Sequence, residues 1–106
     1  MHEPPLNEAA LLERIALGEY TRQQFKRTFN SPDALAAELA AFANSAGGTL
    51  LIGVDDHGTI AGLSAADIRQ LNQMVSNASS QQVRPPIHPH TENVKTRAGL
   101  VMVVTV

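Results

Sequence analysis

The sequence predicts an α/β (α+β) protein with a single-layer mixed β-sheet of about five strands, packed with two to three helices. Three observations lead to this prediction. Short apolar runs bounded by glycine, such as Thr49–Val54, indicate buried strands. Segments with apolar residues at helical spacing alternate with these runs. The chain has 106 residues, of which 43% are hydrophobic, so one domain can bury a modest core.

The first predicted helix covers Leu6–Leu17. Asn7 is a good N-cap, because its side chain can accept a hydrogen bond from the first turn. Leu11, Leu12 and Ile15 form the predicted apolar stripe.

A strand is predicted next, at Arg22–Arg27. The segment is too short and polar for a helix. Alternation along a strand places Phe25 inward and puts Arg22, Gln24 and Lys26 on the opposite face.

The second helix begins at Ser31-Pro32-Asp33, which combines an N-cap, a proline at the first helical position and an acid. Its apolar stripe is Leu35, Leu39 and Phe42. Gly47-Gly48 is expected to end it.

The glycine pair leads into Thr49–Val54, the predicted central strand covered on both faces. The letters DDHG are typical of a turn, and Thr59–Leu63 is predicted to return as a second strand. Phosphate binding at Gly47-Gly48 is disfavoured, because a phosphate-binding loop follows a strand and precedes a helix. Here the order is reversed.

The third helix opens with the capping box Ser64-Ala65-Ala66-Asp67, and its stripe is Ile68, Leu71 and Val75. SNASSQQ is a polar exit from this helix. His88–Lys95 and Leu100–Val106 are then predicted to form an antiparallel pair around TRAG.

Composition narrows the function classes. The chain carries 8 basic and 10 acidic side chains, for a formal net charge of -2, so any nucleic-acid contact needs a local basic patch. There is no cysteine, which excludes disulfides and a cysteine nucleophile. No apolar run approaches a membrane span. We expect a cytoplasmic protein that does not associate with a membrane and binds no cofactor.

Two groups of charged residues are candidate sites. Arg22, Lys26 and Arg27 could contact phosphates from an exposed strand face, with Arg84 extending that face. Solvated strand charge is the plainer alternative. Glu19 with Asp55 and Asp56 could hold a divalent cation, although Asp-Asp before glycine is also a common turn. The histidines of PIHPH are interpreted as ordinary surface residues rather than a metal pair.

Three stretches together resemble a known family. GEYTRQQFKR, then LAAFANSAGGTLLIGVDDHGTIAGL, then RPPI after a helix, are similar to the Schlafen/AlbA-like domain, formerly called a divergent AAA domain. The resemblance divides the chain into an N-terminal helix at 1–17 and the domain at 18–106, a fragment of a longer chain. It implies a DNA-binding module of bacterial transcriptional regulators, with RNA as a second target and with further domains downstream.

In the animal branch, the resemblance implies a metal-dependent RNA nuclease with two Glu residues and an Asp. Glu19 matches the first Glu, and Asp55 or Asp56 matches the Asp. Gln24 stands at the second Glu position, and a neutral amide is a much poorer metal ligand than a carboxylate. We therefore expect no catalytic residues, with a degenerate nuclease as the alternative. A third hypothesis is an assembly module, with Leu100–Val106 as an edge strand that forms a homodimer.

Overall fold

A computed structural model describes residues 5–106, and residues 1–4 of the predicted N-terminal segment lie outside them. The fold is mixed α+β, as predicted. In chain order the elements are α1 (Glu8–Ala16), β1 (Gln23–Lys26), α2 (Pro32–Ala43), β2 (Thr49–Ile52), α3 (Ala65–Asn77), a π-helical turn (Ala78–Gln82), β3 (His90–Thr96) and β4 (Gly99–Thr105).

The strands form one sheet in the order β1-β2-β4-β3. β1 and β2 are parallel and are joined through α2, as a parallel pair requires. β4 is antiparallel to both of its neighbours. The described chain therefore has four strands in its sheet, close to the predicted five.

The strand predicted at Thr59–Leu63 is wrong. This segment makes only two isolated bridges, Ile60 with Val54 and Leu63 with Leu100. Gly53 ends β2 with a φ of 106°, and Gly62 has a φ of 81°, so neither has the negative φ of a strand. The chain crosses the end of β2 instead of running beside it.

The prediction that Leu100–Val106 is an edge strand is also wrong. β4 lies between β2 and β3, and its side chains from Val101 to Val104 are all buried. A continuous apolar run is typical of a strand covered on both faces. The edges of the sheet are β1 and β3.

The sheet separates two hydrophobic cores. On one face α2, α3 and the π-helical turn cover alternate sheet residues, among them Leu50 and Ile52. On the other face α1 covers Leu51 and Val54. The prediction that β2 is buried on both faces is therefore confirmed.

The predicted helix starts are confirmed. The Asn7 carboxamide oxygen accepts from the Ala10 N–H at 2.8 Å, and the Ser31 hydroxyl accepts from the Ala34 N–H at 3.3 Å. Both bonds of the Ser64-Asp67 capping box are present. On α1, however, Leu12 is 48% exposed, which the predicted stripe did not anticipate. Only one narrow face of this short helix reaches the sheet.

The polar exit from α3 is more ordered than its composition indicates. It forms the π-helical turn, in which Ala78 and Ser79 are buried. The Ser79 hydroxyl donates to the Val75 carbonyl at 2.6 Å, so this polar side chain is satisfied within the core.

Candidate nucleic-acid interface

Side chains alternate between the two faces of β1, as predicted. Gln23 and Phe25 are buried on the side of α1. Arg22 and Lys26 point to the other side, where each contacts α2 or the turn that follows it. That side is not a bare solvent face, because α2 runs beside it.

The four predicted contact residues have different surroundings. Lys26 pairs with Glu38 of α2, with 3.6 Å between Nζ and Oε1. The Arg22 guanidinium donates to the Ala46 carbonyl at 3.0 Å, at the opposite end of β1. Arg27 and Arg84 are exposed, and Arg84 lies beyond the π-helical turn.

An open cleft of about 370 Å³ lies where the end of α1 meets the beginnings of β1 and β2. We call it the α1–β1 cleft. Two arginines and a tyrosine are among its lining residues, which are Arg14, Leu17, Tyr20, Arg22, Gln23, Gly48, Thr49, Thr105 and Val106. Tyr20 is 49% exposed, so its ring is accessible to a ligand.

The Gln23 side chain and the close packing of Gly48 build the floor of this cleft. The buried Gln23 amide donates to the carbonyls of Arg14 at 2.8 Å and Gly18 at 2.9 Å, which fixes the end of α1 against β1. A Cβ on Gly48 would lie 2.3 Å from the Phe42 ring, so only glycine fits there. The arginines and the tyrosine thus surround a packed, hydrogen-bonded base.

Arg14 and Tyr20 were missed by sequence reasoning. Arg14 reads as an ordinary basic residue in the last turn of a helix, where cations are favoured anyway. Tyr20 belongs to a loop with no apolar period. Only the docking of α1 onto β1 brings both beside Arg22, and the sequence carries no local signal of that docking.

Two of the three candidate carboxylates bond to backbone groups, and the third, Asp56, is exposed. Glu19 Oε1 accepts from the Phe25 N–H at 3.0 Å, and Asp55 Oδ1 accepts from the N–H groups of His57 and Thr59. The Thr59 N–H in particular, with that of His57, holds the pKa of Asp55 below its ordinary value. These bonds are what an Asx turn requires.

These residues do not fit a metal site. Within residues 5–106, no three His, Asp or Glu side chains lie close enough to hold an ion together. Gln24, at the expected second Glu position, donates its amide to the Tyr20 carbonyl. The degenerate nuclease stays a prediction, which Gln24→Glu and a Mn²⁺-dependent RNA cleavage assay would test.

Gly47 and Gly48 lie where the chain leaves the C-terminal end of α2. Gly47 has a φ of 84°, and its N–H donates to the Phe42 carbonyl at 3.0 Å. This is the usual way for a helix to end in glycine. Helix carbonyls at this position repel a phosphate.

Comparison with known families agrees with this fold. The family described as Schlafen, AlbA_2 matches residues 19–106, and the chain therefore belongs to the Schlafen/AlbA_2 family. Membership suggests association with nucleic acid. No curated protein matches the chain. None of the helices in residues 5–106 is long and apolar enough to cross a membrane.

Proposed function

We propose that this domain binds nucleic acid through the α1–β1 cleft, as the DNA-contacting module of a transcriptional regulator. The observation that carries the proposal is the meeting of Arg14, Arg22 and Tyr20 in one cleft. Family membership supports the class of ligand.

The chemistry of the cleft suits one stretch of a sugar-phosphate backbone with an accessible base. Arginine guanidinium groups donate paired hydrogen bonds to phosphate oxygens. A half-exposed tyrosine offers a face on which a base can stack. The hydroxyls of Thr49 and Thr105 add neutral donors at the same opening.

Lys26, Arg27 and Arg84 provide flanking contacts in this proposal. The charge of Lys26 is partly compensated by Glu38, and Arg27 lies near enough to Asp55 to lower the pKa of that carboxyl, after the larger effect of the Thr59 N–H. We therefore expect these residues to matter less than Arg14 and Tyr20.

The test is fluorescence anisotropy with labelled single-stranded DNA, duplex DNA and structured RNA, each at two salt concentrations. Arg14→Ala should weaken binding about tenfold and reduce the salt slope by about 0.7 to 0.9, because one phosphate contact is lost. Tyr20→Ala should cost about tenfold, mostly on single strands, with the salt slope unchanged.

Arg69→Ala is the matched control. It removes the same charge from an exposed position on α3, outside the cleft. Equal losses from Arg14→Ala and Arg69→Ala would show that only net charge matters. Absence of binding by the unmodified chain at low salt would reject the proposal.

A further inference from the structure

The outer edge of β3 carries backbone groups that point away from the sheet. On β4, Leu100 exchanges both of its backbone hydrogen bonds with Leu63, on the side of β4 that faces away from β3. Lys95 lies opposite Leu100 and so receives no bond from it. Hydrogen-bonded and non-bonded pairs alternate along an antiparallel ladder. The N–H and C=O groups of Lys95, Asn93 and Thr91 therefore all point outward.

None of these outward groups bonds to another residue within 5–106. The side chains of Thr91, Asn93 and Lys95 are also exposed. β3 is seven residues long, which makes this the longer edge of the sheet. An open edge of this kind is a template for pairing with another strand.

We infer that a second copy of this chain pairs with this edge, antiparallel, with Asn93 opposite the partner's Asn93. Thr91 then lies opposite the partner's Lys95, and a two-fold axis relates the copies. The outward groups of the two strands can form about six backbone hydrogen bonds in this register.

Neighbouring registers are less favourable. Centring the axis on Lys95 places two ammonium groups opposite each other, which destabilises a strand pair. Centring it on Thr91 brings Pro89 into the ladder, and proline has no N–H to donate. Among the registers centred on an outward residue, that centred on Asn93 avoids both conflicts and pairs all three outward residues.

The charges along this edge are compatible with a second copy as the occupant. In the inferred register Thr91 and Lys95 lie opposite each other and Asn93 lies opposite itself, so no like charges face each other across the pair. A groove of about 280 Å³ lies beside β3, lined in part by Ser76, Ser80 and Thr91. The partner's Lys95, opposite Thr91, lies beside this groove.

Sedimentation velocity over a concentration series tests the pairing. We expect a monomer–dimer equilibrium with a dissociation constant of about 10 to 100 µM, as suits a small polar interface. Asn93→Pro removes an outward N–H that makes no bond within residues 5–106, so the fold should persist. The dissociation constant should rise at least about tenfold. Asn93→Thr keeps the N–H and is the matched control.

Amide hydrogen exchange of the unmodified chain provides an independent measurement if Asn93→Pro does not fold. The amides of Thr91, Asn93 and Lys95 should exchange more slowly as concentration rises, whereas that of Val94 should not change. A chain that remains monomeric at about 1 mM contradicts the inference. So does a dimer whose formation leaves these three amides unprotected, or one that Asn93→Pro leaves intact.

Discussion

The two edge strands of the sheet, β1 and β3, differ in how their outward backbone groups are hydrogen-bonded. At β1, Tyr20 and Gln23 exchange backbone hydrogen bonds of 2.9 and 3.0 Å, and the Glu19 carboxylate accepts the N–H of Phe25. At β3, the corresponding outward groups have no partner among residues 5–106. A short loop preceding β1 thus closes one edge, and the other edge is left able to pair.

The difference separates the two roles that we propose for the molecule. The loop that closes the β1 edge also carries Tyr20 and leads to Arg22, so closure of this edge and construction of the α1–β1 cleft use the same residues. The β3 edge lies at the other side of the sheet. The proposed nucleic-acid binding and the proposed pairing of copies therefore use different parts of the sheet.

Among changes at the β1 edge, Gln23→Leu is expected to lower the free energy of unfolding most. The carbonyls of Arg14 and Gly18 would lose their donor in a buried position, which should cost about 2 kcal/mol in the free energy of unfolding. Urea denaturation measures this loss. Gln24→Leu, one residue along on the more exposed side, should change stability by less than about 0.5 kcal/mol. Equal losses would show that the edge is not held by the Gln23 amide.

Glu19→Ala should have an intermediate effect. It removes the acceptor of the Phe25 N–H and should cost about 1 kcal/mol. The Phe25 amide should then exchange faster with solvent, as monitored by NMR. Glu19→Gln retains a side-chain oxygen and should preserve most of the protection. An unchanged Phe25 amide in Glu19→Ala would mean that the carboxylate does not close this edge.

The smallest effect concerns pH at the open edge. The Leu6 N–H, at 2.8 Å from Glu92 on β3, lowers the pKa of that carboxyl below its ordinary value of 4.5, with a further contribution from His90. A lowered folded-state pKa gives stability that is present above 4.5 and is lost as pH falls through the folded value. The loss should be less than about 1 kcal/mol.

Glu92→Gln tests this dependence. Unfolding measured from pH 6 to about pH 3 should show a shallower acid decline in the variant, because one of the groups that bind protons on unfolding is gone. Asp55, whose pKa is lowered chiefly by the Thr59 N–H, contributes in the same direction below 3.8 and remains in both proteins. Superimposable pH profiles would contradict the role given to Glu92.

Much of the fold was predictable because its signals are local. Ser31-Pro32 and the Ser64-Asp67 box determine helix starts within one turn, and the apolar run at Thr49–Val54 indicates a strand buried on both faces. The strand wrongly predicted at Thr59–Leu63 shows the limit of such signals. Its composition suits a strand, but Gly53 redirects the chain before a ladder can form.

The candidate site was predictable only in part. Arg22 was recognised from its place on the exposed face of a predicted strand, and it lines the cleft. Arg14 also lines the cleft but was not recognised, because it lies on a different element, α1. Lys26 was recognised, but it is paired with Glu38. Distances between residues on separate elements depend on how those elements pack, which a periodic pattern does not encode.

By itself, the sequence determined the class of fold, the helix caps, the burial of β2 on both faces and the resemblance to the Schlafen/AlbA-like family, since each depends on residues close together in the chain. Only the tertiary structure decided that β4 lies inside the sheet, that the outward groups of β3 have no partner among residues 5–106, and that Arg14, Tyr20 and Arg22 share a cleft. Strand order and helix docking are set by long-range burial of apolar surface, which is non-directional and leaves no local motif.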